Sequence, residues 1–302
     1  MMLNRLFLLC FLFFSYSPPI FTMETEGEDS EAACPQRKKA RKAPTARNLY
    51  NSSVFFKMSR TKLELFLKCS RCFYLDCKLG IKRPEGYPFT LNNTVDALLK
   101  REFDLYRTRR EPHPLCLKQH VTAIPYDHSD LEKWRDSLHH GVQYKVPETN
   151  IILYGGLDDV WIDQDTNELI VVDYKATSKE GAVSIDADWQ IDYKHQVEIY
   201  QWLLRQNGFS VSETAYFVYC NASRSRDTFD ARLDFDISLI SYKGDTSWIA
   251  GAISDVYRCL QDEIPPLPSL HCPYCNYIGK MLRVHTPSHD EVTQYPELEE
   301  PT

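Results

Sequence analysis

Apolar residues are densest between positions 151 and 177, where they form three short runs at 151–154, 157–162 and 168–175. Runs of this length, rich in β-branched and aromatic residues, predict strands. Asp163-Gln164-Asp165-Thr166-Asn167, between the second and third, consists mostly of turn formers, so these two runs predict a β-hairpin. Side chains alternate along a strand, so Val172 and Tyr174 share one face of the third run while Asp173 and Lys175 share the other. A turn centred between Asp165 and Thr166 sets Asp158 opposite Asp173; a slip of one residue would turn Asp158 to the other face.

Elsewhere the spacing is helical. Residues 59–79, 92–107, 189–206 and 246–260 predict helices, and 214–220 and 232–237 predict two more strands. The stretch 112–150 has few sharp signals beyond a short helix at 130–139. On the helix 189–206, Gln196 and Tyr200 are i and i+4 and share a face. The helix 92–107 offers a carboxylate at Asp96, with Glu102 as the alternative. Strands alternating with helices predict an α/β fold, a central mixed β-sheet flanked by helices. No internal repeat is present.

Composition sharpens the boundaries. Of 302 residues, 43% are hydrophobic, enough for an ample core. The formal charge of −7 argues against a polyanion partner only as an average, because residues 57–111 hold thirteen Lys and Arg against seven Asp and Glu. Such a stretch attracts phosphate or is simply a solvated face. Residues 1–22 begin with an apolar run, 6–14, that resembles a secretory leader and is too short to span a bilayer; Met23 offers an internal start. An acidic run, 24–31, and a basic cluster, 37–42, follow in a stretch with little to bury, and the end of the chain is acidic and proline-punctuated. The expected division is a leader and tail over 1–57, a folded domain over 58–282 and an acidic tail over 283–302. The expected compartment is the cell interior, nuclear if the basic cluster is a localisation signal rather than a DNA-binding arm or plain tail; the leader keeps secretion as the alternative.

Ten cysteines are many for this length. Cys69 and Cys72 form one CxxC and Cys272 and Cys275 a second, so four sulfurs could meet at one site that joins the two ends of the domain. Cys10, Cys34, Cys77, Cys116, Cys220 and Cys259 have no such pattern.

Three fragments in order carry a resemblance: Gly155-Gly156-Leu157-Asp158, then Asp173-Tyr174-Lys175, then Gln196 and Tyr200 as Gln-x-x-x-Tyr. Together they resemble the PD-(D/E)XK nuclease superfamily in its RecB-type branch. The stretch from Leu63 to Tyr74 is similar to the branch's opening Leu…Phe-x-x-Cys-Pro-x-x-Phe-Tyr, with Ser70 in place of proline. Asn92-Asn93-Thr94-Val95-Asp96 resembles its Gly-x-x-x-His segment, with Asp96 in place of histidine.

The resemblance implies a restriction-endonuclease-like core and metal-assisted hydrolysis of DNA, by an exonuclease acting on single strands or ends in repair or recombination. A helicase or repair protein would be its partner, and no membrane partner is expected beyond the leader. Asp158, Asp173 and the Tyr174 carbonyl would hold Mg²⁺ or Mn²⁺, with Asp96 completing the site. Lys175 would sit near the attacking water, oriented with the substrate by Gln196 and Tyr200. Several relatives hold an iron–sulfur cluster through one early and three late cysteines. Cys69, Cys72, Cys272 and Cys275 then read as a two-plus-two variant for a [4Fe–4S] cluster, with Zn²⁺ as the alternative. The competing reading is a catalytically silent nuclease-fold protein that binds nucleic acid or a protein partner.

Overall fold

The computed structural model describes residues 49–87 and 90–285. The apolar leader, Met23, the acidic and basic runs at 24–42, Cys10 and Cys34, and the acidic stretch from 286 onward lie outside the described residues.

A five-stranded mixed sheet organises the fold. Its order is β2 (Ala123–Pro125), β5 (Asp159–Asp163), β6 (Leu169–Thr177), β7 (Thr214–Ala222) and β8 (Phe235–Lys243). β5 and β6 are the antiparallel hairpin, paired from Asp159 opposite Val172 to Ile162 opposite Leu169. That is the register the turn predicts, and its next pair would be Asp158 with Asp173. β6 and β7 run parallel, as a helical crossover requires, and α6 (Ile191–Gln206) supplies it. A second sheet, β1 (Phe56–Ser59), β4 (Ile151–Gly155) and β3 (Val142–Lys145), leads through Gly155-Gly156 into β5.

The central strand β6 is buried on both faces because helices cover both. On one side Val171 packs with Val197, Ile199 and Leu203 of α6, with α1 (Arg60–Lys68), α2 (Ser70–Leu79) and α7 (Trp248–Gln261) behind. On the other side Val172 and Tyr174 meet Leu99 and Phe103 of α3 (Thr90–Arg109), with the Trp161 ring stacked 5.3 Å from that of Phe103.

Several elements depart from the sequence reading. The predicted helix 59–79 is two helices, because Cys69 is extended (φ −165°, ψ 103°) and turns the chain between them. The last strand lies at 235–243 rather than 232–237: Asp230 and Ala231, both at positive φ, make the turn, and β8 pairs with all nine residues of β7 as a half-exposed edge strand with a weak apolar pattern. The helix expected at 130–139 is only α5 (Leu131–Arg135). Strands β1, β2 and β3, the short helix α4 (Pro114–Lys118) and a last helix, α8 (Pro273–His285), carried no sequence signal strong enough to place them.

Asp159, fully buried, ties α3, α5 and the hairpin together. Its Oδ1 accepts from Arg107 Nη2 (2.5 Å) and Arg135 Nη2 (3.2 Å), and its Oδ2 accepts from the Tyr174 hydroxyl (2.7 Å). Arg135 also makes a two-point pair with Asp104 of α3. Removing one partner of a buried ion pair leaves the other charge uncompensated, at a cost of about 3–5 kcal/mol. Asp159→Ala is therefore expected to lower stability by about that much, read from denaturant midpoints.

Candidate active site

The site gathers at one end of the hairpin. Gly155 and Gly156 are needed there for space: a Cβ on Gly155 would lie 2.6 Å from the Tyr200 ring, and one on Gly156 2.5 Å from Ser137. With both positions bare, the Tyr200 hydroxyl donates to the Gly156 carbonyl at 2.6 Å, so the signature helix is seated directly on the start of the hairpin. Asp158 sits just beyond the ladder, and its Oδ2 accepts the Tyr174 backbone N–H at 3.0 Å. A side chain thus takes the place of a ladder partner and fixes the carboxylate beside the end of β6.

Asp173 is wholly buried. Neither of its oxygens accepts a well-formed hydrogen bond, and its partner is the ammonium of Lys175 as an ion pair. Burial pushes the Asp173 carboxyl up to about 7 from an ordinary 3.8, Lys175 pulling the other way and Asp158 adding to the rise. Lys175 Nζ is held further by Gln196 Oε1 at 3.3 Å and lies 4.5 Å from the centre of the Tyr193 ring; Gln196 Nε2 in turn donates to the Tyr200 hydroxyl at 3.3 Å. Burial pushes that hydroxyl up to about 12, so it keeps its proton and stays a donor.

Above these groups opens a cleft of about 680 Å³ walled by α3 and the strand ends, with Asp96, Lys100, Asp158, Lys175, Arg60 and Tyr193 on its surface. Asp96 of α3 therefore faces Asp158. Glu102, the alternative carboxylate, is paired with His113 at 2.9 Å and lines no part of this cleft. Sequence reasoning missed Lys100, whose ammonium donates to Asp96 (2.9 Å) and Asp158 (3.2 Å). Its i+4 spacing from Asp96 was the available signal. Although burial opposes it, Asp158 and Asp96 hold the Lys100 ammonium above its ordinary range. Arg60 and Tyr193 had no sequence signal, since only the tertiary fold brings them to the cleft.

A second centre lies where α1 meets α2. Cys69, Cys72, Cys272 and Cys275 bring their sulfurs within 4.8 Å of one another, with near pairs at 3.5, 3.6 and 3.8 Å. Arg83 Nη2 donates to Cys272 Sγ at 3.3 Å. Burial opposes it, yet backbone hydrogen bonds at Ser269 and Cys72 bring the Cys69 thiol down to about 6, while Cys72 and Cys275 are pushed up by burial. Four such thiols cannot all ionise unless a cation is present to bind them. The remaining described cysteines, Cys77, Cys116, Cys220 and Cys259, are buried, free and raised by burial, as packing thiols are.

Comparison with known proteins adds the following. A family model described as the PD-(D/E)XK nuclease superfamily matches residues 57–279. Among solved structures, the crystal structure of SSO0001 is similar at 17% identity, covering 76% of this chain and 85% of that one, with a TM-score of 0.34. A search of curated proteins finds none that matches. Among the described residues no helix is long and apolar enough to cross a membrane.

The raised carboxyl of Asp173 sets a pH dependence. The unfolded chain releases this proton near its ordinary 3.8 while the folded chain keeps it to about 7, so the metal-free protein loses stability as pH rises through that window. A divalent cation bound at Asp173 would have to expel the same proton. Its affinity is expected to climb up to about pH 7 and level off above, in calorimetric titrations with Mn²⁺ from about pH 5.5 to about 8.5; a flat profile would contradict this.

Proposed function

The chain belongs to the PD-(D/E)XK nuclease superfamily, and from that membership we propose that it is a Mg²⁺-dependent deoxyribonuclease of the RecB type, an exonuclease working on unpaired strands or strand ends. The observation that carries this reading is the Asp173 carboxylate, wholly buried with Lys175 as its partner, behind Asp158 and Lys175 on the cleft surface. Lys175 alone does not offset the burial of this anion, whose carboxyl stays raised to about 7, and a second cation would.

Asp158 and Asp173, with the Tyr174 main-chain carbonyl and Asp96, would hold that cation; an all-oxygen donor set is the one Mg²⁺ takes. Bound there, it would offset phosphate charge and lower the pKa of a water molecule. Lys175, held by Asp173, Gln196 and the Tyr193 ring, presents its ammonium to the attacking water or the developing charge. Tyr200 acts at one remove, by anchoring Gln196 to the hairpin. Arg60 on the cleft wall adds positive charge where a phosphate would approach. Unpaired ends are what a helicase partner in repair or recombination would supply.

A second reading has its own support. Lys100 already neutralises Asp96 and Asp158, which suits a catalytically silent nuclease-fold protein that binds nucleic acid or a protein partner. The two part in one assay. On end-labelled single-stranded DNA with Mg²⁺ or Mn²⁺, Asp173→Ala and Lys175→Ala are each expected to lower the cleavage rate at least about a hundredfold. A folded wild-type protein that binds DNA but never cuts it would favour the silent reading.

For the cysteine centre, the family resemblance supports a [4Fe–4S] cluster, whereas the sulfur spacing supports zinc. Four sulfurs about 2.3 Å from one tetrahedral ion lie about 3.8 Å apart, close to the near pairs at 3.5–3.8 Å. A cubane, with each thiolate on a separate iron, spreads them wider. We propose a structural Zn²⁺, with Arg83 offsetting the charge of the four thiolates. Anaerobically purified protein should carry about one zinc per chain and no visible charge-transfer band; iron in stoichiometric amount with a brown colour would return the site to the cluster.

A further inference from the structure

Against Tyr193 of the cleft wall stands a largely exposed tryptophan. Trp189 is 63% exposed although the backbone around it is firmly held. It lies on a one-turn 3₁₀ helix, Asp188–Gln190, that opens α6. The next residue, Gln190, is buried; its Oε1 accepts the Ala187 N–H (3.0 Å) and its Nε2 donates to the Ser184 carbonyl (2.7 Å). Ile185 anchors the same loop in the main core. The ring is therefore presented to solvent by a pinned turn.

Its neighbours connect it to the chemistry. The Tyr193 ring, one helical turn on, meets it edge-on with centroids 5.5 Å apart, and Tyr193 is the ring over which the Lys175 ammonium sits at 4.5 Å. Trp189 thus lies within about 10 Å of Lys175, a span of about three bases at roughly 3.4 Å per step. Asp186 and Asp188 flank it in sequence and Asp192 is neutralised by Lys68, so the positions next to it favour an uncharged base face over a phosphate.

We propose that Trp189, backed by Tyr193, is the stacking platform for an unpaired nucleobase one to three nucleotides from the scissile phosphate. It would select unpaired over duplex DNA, since a paired base has both faces stacked already. This inference rests on the nuclease reading for the position of the scissile phosphate, but not for binding itself.

The test measures binding of the intact chain to a fluorescent single-stranded oligonucleotide and its duplex, by anisotropy with no Mg²⁺ or Mn²⁺ added and no chelator present, so that turnover is not supported and the metal proposed at the cysteine centre is kept. One base–aromatic stack contributes about 1–3 kcal/mol. Trp189→Ala is thus expected to weaken single-strand binding about tenfold, to leave duplex binding nearly unchanged, and to be largely rescued in Trp189→Phe. Abasic nucleotides introduced one at a time should weaken wild-type binding at one position and have no further effect there in Trp189→Ala. Equal affinities of wild type and Trp189→Ala, or an equal loss on single strand and duplex, would overturn the proposal. The two readings fail separately: a chain that never cleaves but shows the stacking effect loses the nuclease reading, and one that cleaves without it loses only the platform.

Discussion

Asp173 is a carboxylate taken out of water with one lysine for company, and the rest of the site is arranged around that imbalance. Its side chain is fully buried in the central strand, so no solvent reaches it from either face. Lys175 is kept close by the alternation of β6 and is braced through Gln196 and Tyr200 against the hairpin. Charge repulsion from Asp158 adds to the burden instead of relieving it. Strain of this electrostatic kind is affordable only where the scaffold is stable without it, and the apolar layers on both sides of β6 provide that scaffold.

Adjacent aspartates divide the work. Asp159 is satisfied by two arginines and a tyrosine hydroxyl and never meets solvent. Asp158, one residue earlier, faces the cleft and spends one oxygen on a backbone N–H. The same side-chain chemistry serves as a buried structural tie in one case and, in the other, as a cleft-facing carboxylate held by Lys100 and a backbone N–H, and only the strand register decides which is which. Arg135 spans the two, donating to the Asp159 carboxylate and to the Asp158 carbonyl at 3.1 Å, so the support of the site and the site itself are mechanically continuous.

What could be read in advance follows the range of the interactions. The hairpin and its register were legible because the turn Asp163 to Asn167 and the alternation of β6 are local facts, and the pairing of Gln196 with Tyr200 because helical spacing is local too. The meeting of two CxxC pairs was legible through chemistry, since thiols in that spacing have few other uses. The break at Cys69 was hidden, because Leu63 to Leu75 keep helical periodicity straight through it while the centre they flank demands an extended residue. Lys100 was hidden for another reason: a lysine four residues from an aspartate is common on any helix, and only the packing of α3 over β6 brings it to Asp158. Edge strand β8 owes its position to pairing with β7, which no pattern in its own residues records.

The cysteine centre also has a consequence in time. Its halves are 200 residues apart, Cys72 on one and Cys272 on the other. At about 5–20 residues per second of synthesis, the first two thiols exist for roughly 10–40 seconds before the second pair has been made. Through that interval α1 and α2 carry two unsatisfied sulfurs and lack the helix that closes over them. The four-sulfur site can therefore close only at the end of synthesis, and a chain cut short before Cys272 would keep its first two thiols without the pair they meet in the finished fold.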